Sequence, residues 1–231
     1  MCYNEIGDFM VHFIVDESKD GYDKEIADIL NLKEKDVLSF FNKSNKINFN
    51  VFLYSDKQRL IDGLKKRGLG EFPDYMCACS PDGDDSINLY EPSTDDIRSK
   101  YDYASIVYHE SIHYIQYALY GHQPEWLCEG IAKYLDGTYS KGIDWLFDNY
   151  IKNYELPNDI NLVKDDKFVT DKYDGYDLSY VAISYLIDTL GKGNFVKNLD
   201  SNDKINEMSE DIINKSINYY QKQFANKCNL W

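Results

Sequence analysis

Two histidines four residues apart, His109 and His113, with Glu110 directly after the first, carry the strongest chemical signal in this chain of 231 residues. On a helix, positions i and i+4 lie one turn apart on one face. His109 and His113 can therefore grip one metal ion from the same side. Glu110 follows His109 by about 100° around the axis, beside that face and within reach of a water held by the metal. A reactive zinc site takes three protein ligands and leaves the fourth position for water. Sixteen residues past His113, Glu129 is the candidate third ligand. The chain has four histidines (His12, His109, His113 and His122), and two of them fall in this motif. The chemistry such a set supports is attack of an activated water on a bond that the metal polarises.

Two helices must position these groups. Asp102 reads as an N-cap and Gly121 as the residue that stops a helix, which predicts a helix over about 102–120. At 100° per residue, His109, Glu110, His113, Ile106, Gln116 and Tyr117 share one side. Ala104, Val107, Ile112, Ile115, Ala118 and Leu119 share the other, an apolar face fit for a core. A second helix begins near Pro124 and stops at Gly137. Its apolar stripe is Trp126, Leu127, Gly130, Ile131 and Tyr134. Glu129 falls within that stripe, where an unpaired carboxylate is costly to bury. A metal ion resolves that cost. The bland alternative is an ion pair with Lys133 at i+4, worth about 0.3 kcal/mol on an exposed face.

His109-Glu110-x-x-His113 followed by Trp126-Leu127-x-Glu129-Gly130-x-Ala132-x-Tyr134 resembles the gluzincins, the thermolysin-like branch of the zincin metallopeptidases. More narrowly, it resembles the short peptidase-MA-like domains of bacteria. The resemblance implies zinc on His109, His113 and Glu129, Glu110 as general base, and a peptide or protein substrate. It also implies a donor to the oxyanion from a later helix. Tyr180, opening an expected helix over 179–190, is the choice for that donor, and Tyr176 is the alternative. Asp136 is a possible orienting partner of the histidines. Other zincin branches fit less well. The metzincin pattern needs Gly three and His six residues after the second His, and those positions hold Gln116 and Leu119. His122 is a weak rival ligand in the turn after Gly121. The G-x-M-E-N motif of the large gluzincin aminopeptidases is absent.

Composition bounds the rest. A formal net charge of -15 argues against nucleic acid and anionic membranes as partners, since both want a basic face. It favours a neutral or cationic substrate. The five cysteines, Cys2, Cys77, Cys79, Cys128 and Cys228, are odd in number and show no disulfide framework. Cys77 and Cys79 read as small residues in a strand, and Cys128 as packing. A reducing, cytoplasmic setting is the default expectation. No charged-then-apolar leader opens the chain, which leaves secretion after removal of a signal open. No apolar run approaches transmembrane length.

The order of elements predicts an α+β chain. Strands are expected over Phe9–Val15 and Ile47–Tyr54. A hairpin is expected from Tyr75–Cys79 and Ser86–Tyr90 around Ser80-Pro81-Asp82-Gly83-Asp84-Asp85. Helices are expected over Asp23–Phe41 and Asp56–Arg67, then the two motif helices. After them come helices near Ile143–Tyr154, Ser179–Leu190 and Ile212–Phe224, with a polar stretch from Pro157 to Gly175. The expected architecture is a single zincin-like catalytic domain. A small twisted mixed sheet with the active-site helix occupies about 1–121, and a helical lobe about 122–231. By the resemblance, one hairpin strand rims the cleft and pairs with an extended peptide. Two other functions stay open at this point. One is an inactive zinc-binding protein of peptidase ancestry that acts as a peptide-binding module. The other is a helical interaction domain without metal.

Overall fold

The computed structural model describes residues 2–6, 9–16, 22–43, 47–70, 78–81, 83–90, 100–137, 142–152 and 175–228. The chain is mostly helical with one small mixed sheet, and it divides into two compact units, Met1–Gly121 and His122–Trp231. No helix among the described residues is long and apolar enough to cross a membrane.

The first unit is built on strands β1 (Cys2–Ile6), β2 (Phe9–Asp16), β3 (Ile47–Tyr54), β4 (Ala78–Cys79) and β5 (Ser86–Tyr90), in the spatial order β1-β2-β3-β5-β4. β2, β3 and β5 run parallel, while β1 and β4 pair antiparallel at the two edges. Parallel neighbours need a crossover, and helices supply both. Helix α1 (Tyr22–Phe41) links β2 to β3, and α2 (Lys57–Arg67) lies between β3 and the hairpin. The period of two in β3 sorts its side chains by face. Phe49, Val51 and Leu53 are buried on one face with Ile87 and Leu89 of β5. That face meets α3 (Lys100–Tyr120), where the Phe49 and Tyr114 rings lie 5.1 Å apart. α1 joins α3 there through Phe41 and Tyr120. On the opposite face, Leu60 and Leu64 of α2 pack with Tyr54, Phe52, Cys79 and Tyr90.

Arg67 closes that second face. As the last residue of α2, it lays its guanidinium over the Phe52 ring, 3.9 Å from the centroid. It donates to Asp84 Oδ2 (3.5 Å), to Ser86 Oγ (3.2 Å) and to Asn88 Oδ1. Ser86 and Asn88 are fully buried, so these bonds meet a need that an apolar neighbour would leave unmet.

The second unit is helical. Its elements are α4 (Glu125–Asp136), α5 (Gly142–Leu146, running on as a π-helical turn over Phe147–Ile151), α6 (Gly175–Leu190), α7 (Lys192–Asn198), α8 (Asn202–Ser209) and α9 (Ile212–Cys228). α4 packs on α6 with Gly130 at the crossing. A Cβ added there would stand 2.5 Å from Ile183 Cγ1 and 2.6 Å from the Ser179 carbonyl oxygen. α9 closes on the π-helical turn, where the Phe147 and Phe224 rings stack at 4.1 Å and Gln221 Nε2 donates to the Ile151 carbonyl.

Several expectations are corrected. Asp102 lies inside α3, which starts at Lys100, and so is no N-cap. Ala118, assigned to the core face of α3, is exposed, whereas Ser111 and Gln116 are buried. α6 begins four residues before Ser179, so Tyr180 sits in its second turn instead of opening it. β5 lies between β3 and β4 and has no free edge, which leaves β4 as the hairpin's edge strand. The strand β1 and the helices α7 and α8 were not anticipated. Cys77 and residues 157–174 of the polar stretch lie outside the described residues.

Candidate metal centre

α3 needs a defined end for its motif to stay in register, and Gly121 provides it. Its φ of 71° is in the left-handed region that L side chains seldom adopt, and its N–H donates to the Tyr117 carbonyl at 2.8 Å. Val107, Ile112 and Ile115 are fully buried and fix the rotation of α3 on the sheet. That rotation leaves His109, Glu110 and His113 half-buried on the remaining side.

The two imidazoles face each other. His109 Nε2 and His113 Nε2 lie 3.0 Å apart, and the rings stand at 84° with centroids 4.6 Å apart. With metal–nitrogen bonds of about 2.0–2.1 Å, a tetrahedral angle would hold two such nitrogens roughly 3.3 Å apart. The observed pair needs only a small adjustment to match. Glu129, in the second turn of α4, completes the group. Ligand atoms of His109, His113 and Glu129 all lie within 4.8 Å of one another, and the three can hold a metal ion. His122 is exposed in the connection after Gly121 and is not part of this group.

Glu129 owes its position to its neighbours in α4. Trp126, Leu127, Gly130 and Ile131 are buried, as the apolar stripe predicts. The Gly130 crossing draws the helix onto Ser179 and Ile183. Lys133, the alternative partner for Glu129 read from spacing, holds its ammonium 5.5 Å from the centre of the Tyr176 ring. It also lowers the Asp177 carboxyl, against the stronger upward push of burial.

The remaining expected residues fall as follows. Tyr180 is buried in α6, with its ring stacked on Tyr134 of α4 at 6.0 Å and 28°. Burial holds its phenol above the ordinary tyrosine range. Tyr176 is half-buried beneath Lys133. Asp136 is the last residue of α4.

Sequence spacing gave no hint of a second group around Glu110. Cys79, on edge strand β4, is pushed up to about 12 by burial first and by the Glu110 carboxylate second, with Arg67 opposing and Asp84 adding. Cys79 thus feels the charges of Glu110, Arg67 and Asp84, all within the first unit. One outcome follows for Cys79. Relative to an ordinary thiol at 9.0, its thiolate at pH 8 is about a thousandfold scarcer. Iodoacetamide at pH 8 should therefore leave Cys79 unmodified in the native protein over times that fully alkylate an unfolded control, as read by peptide mass mapping. Rapid native labelling of Cys79 would contradict this account.

No family model, no characterised protein and no solved structure matches the chain.

Proposed function

We propose that this chain is a zinc-dependent peptidase, with His109, His113 and Glu129 as metal ligands and Glu110 as general base. The observation that carries the reading is the convergence of those three ligand atoms within 4.8 Å, with Glu110 adjacent in sequence to a ligand. Two imidazole nitrogens and one carboxylate form a donor set that suits zinc and leaves a coordination position open. Zinc held there would supply a water whose pKa lies near 7 and a Lewis acid for the scissile carbonyl.

The chain's own residues supply the rest. Glu110 accepts a proton as the peptide carbonyl is attacked and returns it to the leaving amine. Tyr180, or Tyr176, donates to the developing oxyanion, a role that comes from the gluzincin resemblance. Among the described residues β4 is an edge strand, and an extended peptide would add there as a further strand beside α3. That arrangement supports cleavage of peptide or protein substrates, and the charge of -15 favours neutral or cationic ones.

The test is hydrolysis of a broad peptide pool, followed by mass spectrometry. Cleavage should vanish on treatment with a chelator and return with about one equivalent of zinc per chain. Chelation should also lower the melting temperature, because a ligand that binds only the folded state stabilises it. Chelator-resistant cleavage would overturn the reading, and so would a pool left intact by fully zinc-loaded protein.

A further inference from the structure

The helical unit holds a second cluster with its own chemistry. Asp188, exposed in the last turn of α6, accepts a hydrogen bond from the Tyr220 hydroxyl through Oδ2 at 2.8 Å. Phenol rings follow around it. Tyr220 and Tyr219 of α9 meet edge to face, with centroids 5.0 Å apart and planes at 79°. Tyr219 and Tyr185 of α6 meet in the same manner at 5.1 Å and 62°. Tyr180 and Tyr134, stacked at 6.0 Å, continue the cluster inward. Burial raises the phenols of Tyr134, Tyr180, Tyr219 and Tyr220, and the Asp188 carboxylate adds to each.

Packing of α6 on α9 accounts for part of this arrangement. Tyr220 is buried and its hydroxyl is satisfied by Asp188. Packing alone does not account for Asp188 standing exposed beside the half-exposed rings of Tyr185 and Tyr219. Aromatic faces carry negative electrostatic potential and attract cations, most strongly where water is partly excluded. A carboxylate at the rim of such faces adds a directional anchor for the N–H groups. The methylene stem of an amine can lie along the rings while its head meets the acid. Anions are repelled here, and neutral ligands gain only ring contact. The net charge of -15 draws cations toward the whole surface.

We propose that Asp188, Tyr185 and Tyr219, with the buried Tyr220 holding the Asp188 carboxylate in place, form a binding site for an alkylammonium group, such as a peptide lysine or a small organic amine presents. This site is distinct from the metal ligands and binds its cation whether or not the chain turns over peptides.

The experiment uses the full chain with 13C-labelled tyrosine. Ring signals of Tyr185, Tyr219 and Tyr220 are assigned by single Phe substitutions. The protein is then titrated with n-butylammonium, with sodium at equal ionic strength, and with n-butanol. A saturable shift of these three residues with butylammonium alone is expected. Asp188→Asn retains an oxygen that can accept from Tyr220, and it should weaken the apparent affinity at least about tenfold. Tyr219→Leu, which removes a half-exposed ring, should weaken it as well. Titration with Nα-acetyl-lysine amide separates the sources. Tighter binding than butylammonium identifies a peptide lysine as the occupant, and equal binding identifies a free amine. No saturable shift, or an identical response in Asp188→Asn, would overturn the proposal.

Discussion

Replacing Glu110 by Gln is expected to leave about one zinc ion per chain in place while peptide turnover falls roughly a thousandfold. Gln has the same shape and can still hydrogen-bond, but at neutral pH it cannot take up a proton. On the proposed mechanism the substitution therefore removes the base and spares the ligands. A positioned general base contributes about 10²–10⁴ in rate, so the loss corresponds to roughly 3–5 kcal/mol of transition-state stabilisation. The fall should appear in kcat, with KM little changed, because on the proposed mechanism Glu110 acts in the transition state and not in ground-state binding. Steady-state kinetics on the best-cleaved peptide, together with metal analysis of the same sample, makes the check. Undiminished turnover with zinc retained would remove Glu110 from the mechanism. Loss of zinc along with activity would assign Glu110 to metal binding instead. An inactive zinc-binding protein would show no turnover in either form.

Gly130→Ala should unfold the helical unit several degrees earlier. In an open helix this change favours folding by about 1 kcal/mol. At Gly130 the added Cβ would meet Ile183 Cγ1 at 2.5 Å and, on the backbone of α6, the Ser179 carbonyl oxygen at 2.6 Å and carbon at 2.9 Å. Ile183 can rotate away, but the Ser179 carbonyl belongs to a buried helix and cannot. α4 must therefore lift off α6, and overpacking of this kind costs about 1–3 kcal/mol or more. A net loss of about 2 kcal/mol corresponds to a melting temperature lower by roughly 4–8 °C for a chain of this size. Gly193→Ala in α7 is the control. A Cβ there meets nothing within 4 Å, so it should be neutral or slightly stabilising. Thermal unfolding of both variants by circular dichroism makes the comparison. Equal melting temperatures for the two would contradict the tight α4–α6 crossing. Because Glu129 adjoins Gly130, the same variant should also bind metal more weakly.

Much of this architecture was legible where local rules act alone. Ile47, Phe49, Val51 and Leu53 alternate without a break, and β3 spans Ile47–Tyr54 as expected. Asp56 and Gly68 bracket α2 as cap and stop, with Asp56 accepting from the Arg59 N–H at 2.9 Å. The spacing of His109 and His113 fixed their relation, since a helix leaves little freedom over one turn. Convergence of Glu129 on that pair was an expectation from motif order, because spacing cannot bring two helices together.

Other features depend on contacts that no local rule contains. The interior position of β5 follows from its parallel pairing with β3, a relation between residues some 36 apart (Val51 with Ile87). The Arg67 network joins α2, the hairpin and two strands, so its members look unrelated in sequence. The extra first turn of α6 contains Tyr176 and Asp177, whose weak helix propensity hid it. α7 and α8 lie in polar sequence with Gly193 and several Asn. Their formation rests on burial of Phe195, Val196, Ile205 and Met208 more than on propensity. Ser201 could have announced α8, since its side chain accepts from the Lys204 N–H, a capping signal readable from residue type alone. The tyrosines around Asp188 come from helices α4, α6 and α9, and among 21 tyrosines their shared location has no sequence signature.

The most direct test is the metal content of the purified, untagged protein, measured by elemental mass spectrometry after exhaustive dialysis without chelator. The account predicts close to one zinc per chain, in keeping with a single site of three protein ligands. Protein that carries no zinc, and takes up none after incubation with it, would mean that His109, His113 and Glu129 do not form a metal site, and the peptidase reading would fall with them.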